Sequence, residues 1–464
     1  MNLQEYIKEY YKSAPYWFVS EVCQKQHKDR IDKVVETKLY LDGERPTDKR
    51  LTNIEGRWVK PTKIKLNFAS ILLDHNVSFL MKNPVTLICG DDAETLKEYQ
   101  NVYKKGRFKR VDTKLYENMK SCGQAFEYLY FDVNDDIQSK VLLPQFSHPI
   151  YTDTGNYVCY INHFMSSNYV EYYTIYFPDR VEEYSSISGK VKLIKTSINY
   201  SGLPIPYRIP KKYNILEGKS DVEDWKNVID NMERLSSKYQ DALYKFITGV
   251  PVMTGSKLSI TKDGKGAINE DIVGYVMQLE EGSEFEFKQN KTDYQSMKLL
   301  HDTLFNYLLI ASCVPAVSMN AQDVSNLSET SIRMMYQLAI LKSGIDSQNL
   351  MDGFCIRWEQ IRKMLASKKI FVDGEIDCEF QMEIPQNDAE VIDNLSKLRA
   401  INGLSFESML AKNPYVNDVI GEKERILKEE NADSINLDTH TTDTQDTPIT
   451  LDKNSEVDTN VTTE

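Results

Sequence analysis

The residues able to do chemistry are scattered along the chain rather than gathered. Asp91-Asp92 and Glu280-Glu281 are paired acids of the kind that could share a proton. Paired carboxylates share acid and base work only where a cleft drives their pKa values apart; these read as surface acids. Gly218-Lys219-Ser220 resembles the end of a phosphate-binding loop. That loop needs a Gly five positions before Gly218, and Tyr213 stands there, with Pro210 and two lysines nearby in place of a strand. It reads as a helix-leading loop. The six histidines, at 27, 75, 148, 163, 301 and 440, form no HExxH, and none has a Cys or His at metal spacing. His75 and His301 sit on otherwise apolar helix faces and read as core or interface imidazoles. No GxSxG elbow is present. Asp135 and Asp153 lie in DVND and DTGNY, which read as hairpin turns and lack the spaced oxygen ligands of a calcium loop. Seven cysteines, at 23, 89, 122, 159, 313, 355 and 378, contain no CxxC pair. They are expected to be reduced and mostly buried, in a cytoplasm-like compartment. No metal, no cofactor and no catalytic residue is expected.

The densest basic cluster is Lys104, Lys105, Arg107, Lys109 and Arg110, interleaved with Phe108. A nucleic-acid patch is one reading, and a solvated turn with a partner contact is the preferred one. The chain of 464 residues carries a formal charge of −13, which excludes a strongly basic fold. Residues 431–464 hold eight acids and one Lys, so the tail supplies −7 and the body −6. That tail has almost no apolar residues and is expected to be disordered. At 41% hydrophobic the body can bury real cores, and the length allows roughly two to four domains. The start, MNLQEYIKEYYKS, has no apolar signal core. The longest apolar run, Tyr307 to Met319, is interrupted by Ser312 and Pro315 and is shorter than the ~20 residues of a membrane span. A soluble, intracellular protein with no membrane partner is expected.

Periodicity places these residues on an α+β chain. Residues 1–40 read as helical, 42–62 as a loop or short hairpin, 64–82 as an amphipathic helix bearing Ile64, Phe68, Ile71, Leu72, His75, Phe79 and Leu80, and 91–120 as helix again. Residues 124–200 are β-branched and aromatic, with short turn spacing, and predict an antiparallel meander that uses many of the 28 tyrosines. Asp221 opens a helix to about Thr248 whose apolar stripe begins with Val222, Trp225, Ile229 and Met232. A small Gly-punctuated strand module follows over 250–290. Its position between two helices requires them to run antiparallel and carry it at their far end. A helix over 295–312 breaks at Val314-Pro315, a polar segment spans 316–328, and Ser328 is a plausible N-cap for a helix of more than thirty residues. Residues 370–384 alternate as a strand, with Cys378, Phe380 and Met382 on one face. Residues 389–401, 405–410 and 416–430 are helical in pattern, and no internal repeat is evident.

This order of elements resembles the portal proteins of tailed bacteriophages, most closely those of siphophages from Gram-positive hosts, over roughly residues 20–430. Ile71 to Leu87 resembles the family's early helix running into an aromatic, a Pro and a strand, with Lys82-Asn83 where a Gly is common. Leu203 to Asn214 resembles the proline-bearing strand leaving the wing. Val228 to Phe246 resembles the stem helix, and Val314 to Met335 the Pro, tunnel loop and long helix. The resemblance implies an α/β wing (1–220), two stem helices (221–249 and 291–313), a β-rich clip (250–290) and a tunnel loop (314–328). It further implies a long helix with a return strand to the wing (329–386) and a helical crown (387–430). It also implies a ring, a dodecamer in the capsid, through which double-stranded DNA is packaged and ejected. The implied partners are the terminase large subunit, major capsid and scaffolding proteins, and neck or adaptor proteins. The implied location is a capsid vertex of the virion, after assembly in the host cytoplasm.

Under that resemblance the channel residues are Ser318, Asn320, Gln322, Asp323, Ser325 and Asn326, with Lys291 and Lys298 as possible channel lysines and Lys257, Lys262 and Lys265 as clip contacts. The residues agree physically. The segment 316–328 has one Asp and no Lys or Arg. A basic lining would hold phosphates through counterion release, whereas amides and hydroxyls let DNA slide. The alternatives are another phage head or neck protein, whose chains are usually far shorter, and a DNA-processing enzyme, which would need a metal cluster or phosphate loop not found here.

Overall fold

The structure is a computed structural model. It describes residues 2–44, 52–54, 57–59, 63–90, 92–187, 189–247, 250–254, 284–288, 294–315, 329–384, 388–413, 415–416, 421–423 and 425–428. The chain divides into two units, residues 1–384 and 385–464.

The first unit opens with three helices where the sequence predicts one helical stretch: α1 Leu3–Tyr11, α2 Trp17–Val22 and α3 Lys25–Leu41. A capping box starts α1: Glu5 N–H donates to Asn2 Oδ1 and Asn2 N–H to Glu5 Oε2, both at 2.9 Å. Lys12 and Ser13, both left-handed, end it. The loop at 42–62 holds a short hairpin, β1 Thr52–Ile54 with β2 Arg57–Val59. The next helix, α4 Phe68–Met81, starts later than Ile64, and its inward face differs from the predicted stripe. Ala69, Leu73, Asn76 and Val77 are buried while Ile71 is exposed, because α4 packs against more than one helix.

After β3 Thr86–Cys89, the predicted helix over 91–120 is two helices, α5 Ala93–Lys105 and α6 Phe108–Cys122. Asp92 caps the first by accepting from Thr95 N–H and Oγ1. The break falls at Gly106 and the left-handed Arg107, and Phe108 is driven fully into the core. The strands that follow are β4 Gln124–Phe131, β5 Ile137–Leu142, β6 Ser147–Tyr151, β7 Tyr157–Met165, β8 Glu171–Tyr176, β9 Arg180–Ser185, β10 Lys192–Ile198 and β11 Ile205–Arg208. They are antiparallel as predicted but form two sheets, β10-β9-β8-β7-β6 and β11-β4-β5. A 3-10 turn at Pro144–Phe146 separates them. Phe126 and Tyr160 join the sheets at a ring separation of 5.1 Å, so the tyrosines fill the seam between layers.

The rest of the unit is α7 Val222–Ile247, β12 Val250–Thr254, β13 Glu284–Lys288, α8 Tyr294–Ser312, α9 Glu329–Met335, α10 Gln337–Ser367 and β14 Ile376–Glu379. Val222, Trp225, Ile229 and Met232 bury the predicted stripe of α7. α7 runs into β12, β13 runs into α8, the two strands pair antiparallel, and the two helices pack together. The inner strands predicted for the 250–290 module lie outside the described residues, as does Ser328. β14 returns to pair with β3, Ile376 opposite Cys89, and puts Cys378 in the core with Phe380 and Met382 against it. α10 lies so close to β11 that a Cβ on Gly353 would fall 2.2 Å from the Tyr207 ring. Four of the cysteines are buried, while Cys23 and Cys355 are exposed.

The second unit contains α11 Asp388–Ala400 and α12 Phe406–Lys412. Ser405 caps α12 by accepting from Ser408 N–H at 3.1 Å, and residues 421–423 and 425–428 are helical. The acidic tail, 431–464, lies outside the described residues.

Candidate functional site

Most of the sequence-predicted site residues lie outside the described residues: Ser318, Asn320, Gln322, Asp323, Ser325, Asn326, Lys257, Lys262, Lys265 and Lys291. Lys298 is described and exposed on α8. The two roots of the polar segment are described as well. On the incoming side Leu308, Leu309 and Ser312 are buried, and Cys313 turns left-handed at φ 57° to end the helix. Val314 and Pro315 are buried, and Asn76 Nδ2 donates to the Ser312 carbonyl oxygen at 3.3 Å. On the outgoing side Tyr336, at the joint between α9 and α10, stacks on Phe79 at 5.8 Å. Both roots therefore rest on α4.

The incoming root lies beside a buried group of charges. Lys120 on α6, fully buried, reaches Asp221 and lies 2.8 Å from Asp346 Oδ2 on α10. Tyr116 OH donates to the same Asp346 oxygen at 3.0 Å, and burial then drives its own hydroxyl well above its ordinary range. Lys342 Nζ sits 3.3 Å from Asp221 and 3.5 Å from Asp346. Burial pushes the Cys313 thiol up, with Lys342 and Lys120 pulling against it, so the end of α8 shares this environment. Asp221 directly precedes α7. One lysine thus ties the start of α7 to α6 and α10, beside the end of α8.

A second buried group lies three turns further along α10. Arg357, fully buried, donates from Nε to Glu127 Oε2 at 2.8 Å and from Nη1 to Asp112 Oδ1 at 2.7 Å. Tyr207 OH donates to Glu127 Oε2 at 2.6 Å. The guanidinium lies against the rings of Phe354 and Phe108, at 4.3 and 5.1 Å. Burial strips it of water, and Asp112 and Glu127 outweigh that loss and hold its pKa well above the ordinary value. Burial pushes Asp112 up to about 6 against the pull of Arg357. Among the described residues neither group lines the cavity beside α3.

The histidines show what spacing could not. His27, His148 and His163 come from α3, β6 and β7 and meet edge-on or tilted, with ring separations of 5.3 and 5.9 Å. His27 Nε2 lies 3.1 Å from Glu21 Oε1. His148 Nδ1 donates to the Phe146 carbonyl at 3.2 Å, and its Nε2 has no partner. Burial, reinforced by Arg30, His27 and His163, pushes His148 down to about 2. Burial also lowers His75 and His163. Among the described residues no group of three or more His, Cys, Asp or Glu could hold a metal ion, and no helix is long and apolar enough to cross a membrane. A cavity of about 440 Å³ lies between α3, β6 and the loop at 211–218, with mixed charges along its wall. The phosphate-loop lookalike is a packing joint: a Cβ on Gly218 would fall 2.0 Å from the Gly123 carbonyl oxygen, and Ser220 Oγ donates to the Ser121 carbonyl.

Residues 20–435 match the family model described as phage portal protein, SPP1 Gp6-like. No curated protein matches the sequence. Among solved structures the chain is similar to one in the neck of an empty GTA particle computed with C6 symmetry, at 12% identity and TM-score 0.48, covering 81% of this chain and 91% of that one. It is also similar to one in the neck of the native GTA particle computed with C12 symmetry, at 12% identity and TM-score 0.46, covering 75% and 91%. A chain of the native gene transfer agent virion is similar at 11% identity and TM-score 0.45, covering 73% and 88%.

Removing the shared lysine exposes its role. Lys120→Met leaves Asp221 and Asp346 buried without their main cation, and is expected to cost about 3–5 kcal/mol in denaturant unfolding. Asp346→Asn in the same chain is expected to restore part of that loss. The imidazoles set a pH dependence. His148 stays neutral when folded but charges near 6.5 when unfolded, so its stabilising contribution is present above 6.5 and is lost as pH falls toward 2. Between pH 6.5 and 5 the wild type is expected to lose about 2 kcal/mol through this residue. His148→Gln is expected to flatten that slope in unfolding measured across the same range.

Proposed function

The chain belongs to the phage portal family, SPP1 Gp6-like, and on that premise we propose that it assembles as a ring at one capsid vertex, twelve copies in the capsid, with double-stranded DNA passing along its axis. The family is structural rather than enzymatic, and this portal protein acts as a head-to-tail connector of the virion. In this reading residues 1–220 with the return strand form the wing, α7 and α8 the stem, 250–290 the clip, 314–328 the tunnel loop and 387–430 the crown. The terminase large subunit and later the neck proteins dock at the clip, through Lys257, Lys262 and Lys265. Capsid and scaffolding proteins surround the wing, and assembly takes place in the host cytoplasm. Lys291 and Lys298 are candidates for a channel ring.

The observation that carries the ring is a pair of apolar helix faces left exposed among the described residues. On α8 the inner face is buried, yet Leu299 and Ile310 are 70% and 62% exposed, with Leu300 and Tyr307 beside them. On α10 Leu341 and Ile345 are 56% and 58% exposed, in line with Leu338 and, on α9, Met334. Exposed apolar stripes of this length mark contact surfaces. Two different stripes on one chain suit a head-to-tail contact, which closes into a ring when the rotation permits. Within the tunnel loop the amides and hydroxyls of Ser318, Asn320, Gln322, Ser325 and Asn326, with a single Asp323, offer contacts that do not hold a phosphate.

Negative-stain imaging of the purified protein is expected to show rings. Leu341→Glu with Ile345→Glu is expected to weaken assembly by at least about tenfold per contact, leaving folded monomers by circular dichroism and mass photometry. Wild-type protein that stays monomeric at every concentration would count against the ring. Deleting Asn320–Asn326 is expected to leave rings and proheads intact while abolishing DNA packaging or retention. Normal packaging in that deletion reduces the segment to a connector.

A further inference from the structure

The basic cluster at 104–110 is left unused by the portal reading, and the structure changes its meaning. It forms the elbow where α5 ends and α6 begins. Lys104, Lys105, Arg107, Lys109, Arg110 and Lys114 are all exposed there. Lys105 pairs with Asp136 at 2.9 Å. Among the described residues no carboxylate lies within ion-pair range of the other five. Arg110 and Lys114, four positions apart, share one face of α6 over about 6 Å of helix, and Arg107 stands at the cap that precedes it. The row stands out in a protein of charge −13.

Three of these cations are placed against local stability. Arg107 is the N-cap of α6, left-handed, with no side-chain cap hydrogen bond, and the first turn holds no acid. Lys109 and Arg110 therefore sit at the positive end of the helix dipole, where cations are disfavoured. A helix selected only for stability would carry acids there. The aromatic within the cluster, Phe108, is fully buried. The exposed row thus has no apolar centre, which protein interfaces need, and no ring for stacking on bases. Phosphate backbones need neither.

We propose that the α5–α6 elbow is a sequence-independent binding surface for the phosphate backbone of double-stranded DNA, built from residues other than those assigned to the channel. Arg107, Lys109, Arg110 and Lys114 supply the contacts, and the proposal does not depend on ring formation.

The test uses full-length protein and a labelled, covalently closed minicircle of duplex DNA, which cannot thread a ring. With four phosphate contacts, affinity is expected to fall on the order of 100-fold between 50 and 200 mM salt. Arg107→Gln with Arg110→Gln and Lys114→Gln is expected to reduce the log–log salt slope by about 2.7, with an unchanged or raised Tm because the helix end is relieved of repulsion. Arg107→Lys with Arg110→Lys keeps the charge and is expected to keep the slope. Lys114→Gln alone is expected to remove about one unit of slope, which secures the test if the triple variant folds poorly. No binding of the minicircle at 50 mM salt, or an unchanged slope in the glutamine variants, overturns the proposal. Tighter binding of a polyglutamate peptide than of the minicircle overturns it in favour of an acidic protein partner.

Discussion

Two charges buried on one helix constrain this fold. Asp346 and Arg357 lie on the same side of α10, three turns apart, and both are fully buried. A buried charge without its partner costs several kcal/mol, so the elements that supply partners are held in register. α6 answers both, with Lys120 to one and Asp112 to the other. β4 adds Glu127, and the residue before α7 adds Asp221. Apolar packing alone is non-directional. The two ionic groups give it direction, fixing the rotation and slide of α10 against β4 and the start of α7.

That arrangement suits the mechanical task of a portal protein. The polar segment at 316–328 leaves from α8 beside Lys120 and returns before α10, and both ends rest on α4. The end of α8, the start of α7 and the body of α10 converge on one rigid group. The outward faces of α8 and α10 then stand at fixed positions and carry exposed apolar stripes. Burial also governs the imidazoles of His75, His148 and His163, lowering the pKa of each.

Several elements could be read directly from residue order. The apolar stripe of α7, the stop at Val314-Pro315, the hairpin turns at Asp135 and Asp153 and the edge strand with Cys378 all rest on local periodicity or turn chemistry, and the structure forms them. The family was legible in the order of elements. The interruptions were less legible. The helix expected over 91–120 breaks at Gly106 because Phe108 must reach the core on the other side. The meander divides into two sheets because Phe126 and Tyr160 fill a seam between layers. α4 turns Ile71 outward because α6, α7 and α10 surround its other faces. In each case a long-range packing demand overrode a consistent local pattern.

The sequence by itself determined the type and order of the elements, the lack of metal and phosphate motifs, and the base-free composition of the 316–328 segment. These depend on residue type and on spacings of two to five positions, which neighbouring residues settle between themselves. Only the tertiary structure decided that Lys120 serves Asp221 and Asp346, that Arg357 joins Asp112 to Glu127, and that His27, His148 and His163 meet. It alone showed that five cations of the α5–α6 elbow lack an acidic partner among the described residues. Partners so far apart in the chain meet only when the core closes, and burial then decides which charges must be paired and which are left facing outward.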